Sequence, residues 1–263
     1  NIPLPLDYYV QQAKLLRAAA YLHLVTAFGD VPLMTSYNMV GFYPTRQPAA
    51  TVIDFAIRDI AGFVNNMPDI FQHNGLLNKW SGLTILAKLQ LAQKDYAAAL
   101  LSTNAIINSR RYELNTSLNE VYQTTNNKEI IWNGMPEPST AFKAYFQNRA
   151  GFPSMRYAEV LLLNAEAHIK LGNINQAQEV LNQLQTRSGR TPVTLTATNA
   201  LEQLNQVMQQ EAPLEGYRFS SLVRWGLAGQ LLGSYGYKPH NNLLPIPLVE
   251  LQVNPNMTQN PGY

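Results

Sequence analysis

Glu159 and Glu166 stand seven residues apart, a spacing that puts both carboxylates on one face of a helix. Paired carboxylates are the minimum equipment for general acid–base chemistry. The neighbouring residues argue for a different role. A half-buried carboxylate needs a cation, because an unpaired buried charge is very costly, and Arg156, Arg218 and Arg224 are the cations at hand. We expect Glu159 or Glu166 to meet Arg218 or Arg224 in a structural polar network. The four histidines, His23, His73, His168 and His240, share no ligand-type spacing such as HExxH, and neither a GxSxG elbow nor a phosphate-binding glycine loop is present. A glycoside hydrolase would need two carboxylates across a cleft, about 5–9.5 Å apart, and no motif announces them. The chain has no cysteine, which excludes disulfides, cysteine zinc sites and a thiol nucleophile. We therefore read no catalytic residue, no metal ligand and no cofactor site.

Binding chemistry has more to work with. The face of an aromatic ring carries negative charge density, so the C–H faces of a pyranose stack on it, while amides pair the sugar hydroxyls. The candidates are loop aromatics beside asparagines: Phe42 and Tyr43 with Asn38, Tyr145 and Phe146 with Asn148, and Tyr235 and Tyr237 with Asn241. Trp80, Trp132 and Trp225 each fall inside a predicted helix or strand and are read as core.

A helical scaffold must position these loops. In 152–187 the apolar residues Ala158, Leu161, Leu162, Ala165, Ala167, Ile169 and Leu171 form one helical face, and Ala177, Val180, Leu181 and Leu184 form another. Gly172 and Asn173 suit the left-handed backbone that ends a helix. This is a helical hairpin of tetratricopeptide type. A second copy occupies 80–108: Ala87 aligns with Ala165, Leu91 with Ile169, Asp95 with Asn173 and Ala99 with Ala177, at a constant offset of 165 − 87 = 78 residues. That offset exceeds the roughly 34-residue tetratricopeptide period, so inserted segments separate the hairpins. A helix over 7–28 with Ala13, Leu16, Ala20, Leu24 and Ala27 on one face, widened by Leu15, Ala19 and Leu22, and one over 52–66 capped by Thr51, make a third pair split by a loop. A short buried strand is expected at 129–132, and further helices at 201–211 and 216–229.

Composition narrows the function classes. Hydrophobic residues make up 46% of the 263, enough for a substantial core, while charged residues make up only 14%, well below the ~25% of an average globular chain. The net charge is +2 with no long basic run, so nucleic-acid binding has no electrostatic footprint. No segment approaches 18 consecutive apolar residues, so nothing here spans a bilayer as a helix. The opening Asn1-Ile2-Pro3-Leu4-Pro5 is not a signal peptide; we expect the middle of a longer chain or a trimmed mature form.

Several segments together resemble one family. Leu16-Arg17-Ala18 followed by Phe28-Gly29-Asp30-Val31-Pro32-Leu33, the helix Arg156-Tyr157-Ala158-Glu159-Val160-Leu161-Leu162 with Ala165-Glu166-Ala167, Glu215-Gly216-Tyr217-Arg218 with Leu222-Val223-Arg224-Trp225-Gly226, Leu244-Pro245-Ile246-Pro247, and Asn254-Pro255-Asn256 with Gln259-Asn260-Pro261-Gly262-Tyr263 resemble, in order, the signatures of the SusD/RagB family. These are surface nutrient-binding lipoproteins of Bacteroidetes outer membranes. The acidic–Arg–Arg run that usually precedes the Glu-Gly-x-Arg segment is replaced here by Met208-Gln209-Gln210-Glu211-Ala212-Pro213.

The resemblance implies a mainly α, SusD-like fold: about four tetratricopeptide-like helical pairs with long irregular loop insertions. We expect one domain over 1–263, with the scaffold at 7–110 and 152–230, inserted loops at 35–50, 111–151 and 188–200, and an extended C-terminal tail at 231–263. It also implies non-catalytic binding of an oligosaccharide, or sometimes a peptide, outside the cell. Delivery would be to a SusC-like TonB-dependent transporter, against which the family uses its tetratricopeptide face. Membrane attachment would come only through an N-terminal lipid anchor upstream of this chain. The competing reading is a tetratricopeptide scaffold for peptide or protein partners, which usually presents charged or amide clamps on a concave face; this composition gives few charges.

Overall fold

The computed structural model of the chain describes residues 5–36, 43–69, 75–123, 127–133, 155–213 and 215–263. The first hairpin pairs α1 (Leu6–Phe28) with α2 (Ala49–Ala61). On α1 the buried face includes Leu15, Ala19 and Leu22 from the margin of the expected one, but not its centre. Leu15, Ala18 and Tyr21 point into the core, while Leu16 and Leu24 stay 51% and 40% exposed and Ala13 and Ala20 also face out. Leucine and alanine occupy both sides of this helix, so apolar periodicity has no unique phase. The neighbours choose it. Arg17 Nε donates to Asp59 Oδ2 on α2 at 2.9 Å. The Tyr21 hydroxyl donates to the Met34 carbonyl at 3.1 Å and accepts the Met34 N–H at 2.6 Å. The cap of α2 differs too. Thr51 lies inside the helix, and Asp30 Oδ1 accepts the Ala49 N–H at 2.8 Å. A residue 19 positions upstream thus satisfies an orphan amide of the first turn. The helix is shorter than expected and is followed by a separate 3-10 turn, Val64–Asn66.

The second hairpin is α3 (Lys79–Gln93) and α4 (Tyr96–Asn108). Asn78 caps α3 in a reciprocal box: its Oδ1 accepts the Ser81 N–H at 2.9 Å, and Ser81 Oγ accepts the Asn78 N–H at 2.8 Å. The chain then passes through α5 (Leu118–Gln123), which the polar composition of 121–127 did not announce, to β1 (Ile130–Trp132). This strand pairs antiparallel with β2 (Met155–Arg156), whose residues read in sequence as the approach to a helix.

The third hairpin is α6 (Tyr157–Lys170) and α7 (Ile174–Arg187). Its left-handed turn residue is Gly172, at φ +79°, while Asn173 sits at φ −82°. In the second hairpin Lys94, at φ +66°, takes the left-handed position. Leu171, expected inward, is 42% exposed at the end of α6. The fourth pair is α8 (Ala200–Glu211) and α9 (Arg218–Trp225), followed by the short α10 (Ala228–Leu232). The tail is not extended throughout. It contains two 3-10 turns, Gly233–Tyr235 and Pro239–Asn242, and α11 (Leu248–Val253), which begins directly after Pro247.

Successive helices pack on one another in chain order, from α1 on α2 through α4 on α6 to α8 on α9. This is a tetratricopeptide-like stack with two main cores. One gathers Leu15, Ile53, Ile60, Leu83 and Leu89, and the other Leu161, Leu181, Leu204, Leu222 and Trp225. Between them α3 and α4 meet α6, where Leu91, Ala99, Leu163 and Ala167 cluster. There the Asn164 amide donates to Thr103 Oγ1 and Asn104 Oδ1, both at 2.9 Å.

The two carboxylates of α6 do not form one network. Glu166 accepts a fork from Arg224, with Nε–Oε1 2.7 Å and Nη2–Oε2 2.6 Å. Glu159 takes Lys88 of α3 instead, at 2.6 Å, and Arg218 donates to Asn205 Oδ1 at 2.9 Å. Seven residues of α-helix separate the carboxylates by about 10 Å, so each meets a different packing neighbour. Arg156 lies elsewhere again. It is only 1% exposed, and its Nη1 reaches Glu129 Oε1 at 2.6 Å and Glu211 Oε1 at 2.8 Å, while its Nε reaches both Glu215 oxygens at 2.9 Å. Arg187 Nη1 donates to Glu129 Oε2 at 3.0 Å and its Nη2 donates to Glu211. The Tyr122 hydroxyl donates to Glu215. Three carboxylates and two guanidiniums therefore converge where the β1–β2 pair meets the ends of α7 and α8.

Removing one partner of a buried charge cluster costs about 3–5 kcal/mol, against about 0–1 kcal/mol for an exposed pair. Arg156→Met is expected to lower the unfolding free energy in urea by about 3–5 kcal/mol. Lys128→Ala, which removes the exposed Lys128–Glu113 bridge, is expected to shift it by less than about 1 kcal/mol. Equal effects would show that the buried cluster is not what holds this region. The cluster also predicts an alkaline limit. Burial first, and then the adjacent Glu215 carboxylate, push the Tyr217 hydroxyl well above its ordinary value of 10.0. The unfolded chain then loses this proton before the folded one, so the contribution is complete below pH 10 and declines above it. Tyr217→Phe should flatten the alkaline limb of melting temperature against pH.

Candidate ligand-binding surface

The C-terminal tail is held by amide side chains that imitate peptide groups. Asn260 Nδ2 donates to the carbonyls of Phe28 at 3.0 Å and Leu244 at 2.7 Å, and Gln259 pairs with both backbone polar groups of Ile246, at 2.7 and 3.0 Å. The Leu244 N–H donates to the Ala27 carbonyl at 2.7 Å, fastening the tail to the last turn of α1. Arg46 completes the joint. Its guanidinium donates to the carbonyls of Asp30 at 2.7 Å, Thr258 at 2.8 Å and Phe28 at 2.9 Å, and to the side chain of Asn260. From this anchored tail, Asn254 Nδ2 reaches the Pro44 carbonyl at 2.9 Å and Asn256 Nδ2 the Tyr43 carbonyl at 2.7 Å. The end of the first insertion is thus positioned by residues more than 200 positions away in sequence.

Of the aromatic and amide candidates, Asn38, Phe42, Tyr145, Phe146 and Asn148 lie outside the described residues. Tyr43 is 52% exposed on the backbone that Asn256 holds. Tyr235 projects from a 3-10 turn and is 86% exposed. Tyr237 is half-buried and its hydroxyl donates to Asn242 Oδ1. Asn241 Oδ1 accepts the Lys238 N–H at 2.7 Å. Tyr235, Tyr237 and Asn241 share one loop, whereas the Tyr43 backbone is held by Asn256. Phe219 and Tyr263 are also exposed, at 43% and 47%. Neither was a candidate in sequence, because Phe219 follows a helix-starting motif and Tyr263 ends the tail signature. The one available signal was the density of aromatics and asparagines in 235–242.

Trp80 and Trp225 are buried, each 6% exposed, and Trp132 is half-buried with its Nε1 donating to the Gly75 carbonyl at 3.2 Å. Glu159 and Glu166, 2% and 1% exposed, each face their own cation and so make no solvent-reachable acid–base pair. Among the described residues no cluster of three histidine or carboxylate side chains could hold a metal ion.

Comparison with known proteins agrees with this architecture. The profile of the SusD family matches residues 92–263. The chain is 32% identical over 121 residues to the starch-binding protein SusD of Bacteroides thetaiotaomicron, an overlap of 42% of this chain and 21% of that protein. Over its curated relatives the chain spans between 21% and 37% of their length. In three dimensions it superposes on a SusD superfamily protein from Bacteroides vulgatus with a TM-score of 0.83 at 18% identity, covering 97% of this chain and 78% of that one. A laminarin-binding SusD-like protein superposes with a TM-score of 0.81 at 22% identity, covering 100% and 81%. These likenesses establish the shared fold, and the profile, which takes in more than half of the chain, establishes the kinship: the protein belongs to the SusD family.

Proposed function

We propose that the protein binds nutrient oligosaccharide at the cell surface, without catalysis, and delivers it to a SusC-like TonB-dependent transporter in the outer membrane. A lipid anchor upstream of this chain would tether it there. The observation that carries the reading is the exposure of loop aromatics beside asparagine amides, foremost Tyr235 and Tyr43, on a family scaffold. Tyr43, Tyr235, Tyr237 and Asn241 are the contacts we assign to ligand among the described residues. The starch-binding relative and the laminarin-binding structural neighbour support a saccharide over a peptide.

The transporter contact is assigned to the outer face of α1. Leu6, Tyr9, Val10 and Leu16 are 77%, 54%, 46% and 51% exposed along one side of this helix. Isolated exposed apolar residues are ordinary, whereas a contiguous apolar strip marks an interaction surface. Affinity-tagged protein drawn from native outer membranes in mild detergent should bring down a large β-barrel transporter. Val10→Glu combined with Leu16→Glu should abolish that co-purification and leave melting temperature and saccharide binding intact. Retention of the transporter by this variant would remove the α1 face from the interface, and a soluble partner in place of a barrel would favour a peptide-binding scaffold.

A further inference from the structure

The loop 235–242 carries more aromatic surface than the sequence pattern singled out. On one flank, Phe219 of α9 meets Tyr237 edge to face, with ring centroids 6.4 Å apart and planes at 67°. On the other, Tyr263 meets His240, with centroids 5.1 Å apart and planes at 84°. Tyr235, two residues before Tyr237, is 86% exposed. The exposure of Phe219 is informative because its helix has a well-formed inner face: Leu222 and Trp225 are 0% and 6% exposed, whereas Phe219 is left at 43%. One such ring would mean little, but several around a single loop form a surface.

Tyr237 and Tyr263 are held in place before any ligand arrives. The Tyr237 hydroxyl is engaged by Asn242, and the Tyr263 hydroxyl donates to the Leu243 carbonyl at 2.8 Å. The Asn241 amide lies 3.5 Å from the Tyr263 hydroxyl and accepts the Lys238 N–H. Gly262 makes the return of Tyr263 onto His240 feasible. Its φ is +94°, and a Cβ there would sit 2.6 Å from His240 Cβ. Rings fixed in advance cost little ordering entropy when they bind. The polar groups among them are amides and phenols, and Lys238 is the one formal charge in 235–242. An acidic glycan would call for guanidinium forks, yet Arg218, beside Phe219, is taken up by Asn205.

We propose that Phe219, Tyr235, Tyr237 and Tyr263, with the amides of Asn241 and Asn242, form a platform on which a neutral hexose oligosaccharide stacks. This rests on the saccharide-binding reading and gives it a place and a ligand class. The test is calorimetric titration with maltohexaose, laminarihexaose and a hexagalacturonide, using the protein with its upstream residues. The wild type should bind one of the two neutral hexasaccharides and not the acidic one. Phe219→Ala combined with Tyr235→Ala should weaken that binding at least about tenfold, the scale of losing a central aromatic anchor, with melting temperature unchanged. Leu101→Ser, which removes an aliphatic group 73% exposed on α4, should leave it unaltered. Should the double variant be unstable, Tyr235→Ala alone gives the same reading, since that ring packs on little. Wild-type affinity in the aromatic variants would overturn the platform and leave saccharide binding standing. Binding of the hexagalacturonide alone would overturn the neutral class, and binding of none of the three would overturn both the platform and the saccharide reading.

Discussion

A guanidinium cannot be discharged at any pH a protein survives, and burying Arg156 therefore dictates what must surround it. Its side chain is 1% exposed, the bulkiest among the fully buried ones. Glu129, Glu211 and Glu215 supply the opposing charge, and Arg187 shares two of them. Each comes from a different part of the chain: Glu129 from before β1, Arg187 from the end of α7, Glu211 from the end of α8 and Glu215 from the loop before α9. The third and fourth hairpins and the β1–β2 pair are consequently tied to one point. A buried ion cluster of this kind is weak evidence for net stability, because desolvation offsets much of the Coulomb attraction. What it does supply is geometry. Charges that are satisfied in one arrangement, and stranded in any other, leave the two strands a single place to stand.

A second constraint acts at the other end of the stack. The carbonyls at the end of α1 are not satisfied by α1 itself, and the tail takes up that role. Ala27, Phe28 and Leu244 carbonyls accept from tail groups, and Arg46 draws Asp30 and Thr258 together. This explains the run of asparagine, glutamine and proline in the last residues. Amides supply donors and acceptors without charge, so they can be half-buried at modest cost, and proline spares an N–H that would otherwise need a partner. The same amides hold the Tyr43 and Pro44 backbone, so the tail links scaffold and loop in one hydrogen-bonded unit.

Much of this was legible in the residues. The hairpins at α3–α4 and α6–α7 showed in small residues at equivalent places and in helical apolar spacing, because close helix packing admits few side chains at those points. That Glu159 or Glu166 would meet Arg218 or Arg224, of which Glu166 with Arg224 is the pair that forms, followed from charge bookkeeping. The buried face of α1 did not, since leucine and alanine line both sides and only the positions of α2 and α3 select one. The cap of α2 lay 19 residues upstream, beyond any local rule. Arg156 looked like a partner for the carboxylates of its own helix, but its extended backbone at φ −141° turns it toward β1 and α8.

The sequence by itself determined the helical-repeat class and the family, because these depend on local periodicity and on short ordered motifs that survive without a fold. It also placed aromatics and asparagines in loops. The tertiary structure alone decided which of them share a surface. Phe219 and Tyr237 are 18 residues apart and touch edge to face, and His240 and Tyr263 are 23 apart and do the same. Those meetings depend on where α9 ends, on the return of the tail across α1, and on the single glycine that lets it turn. They are consequences of long-range packing, which no local pattern encodes.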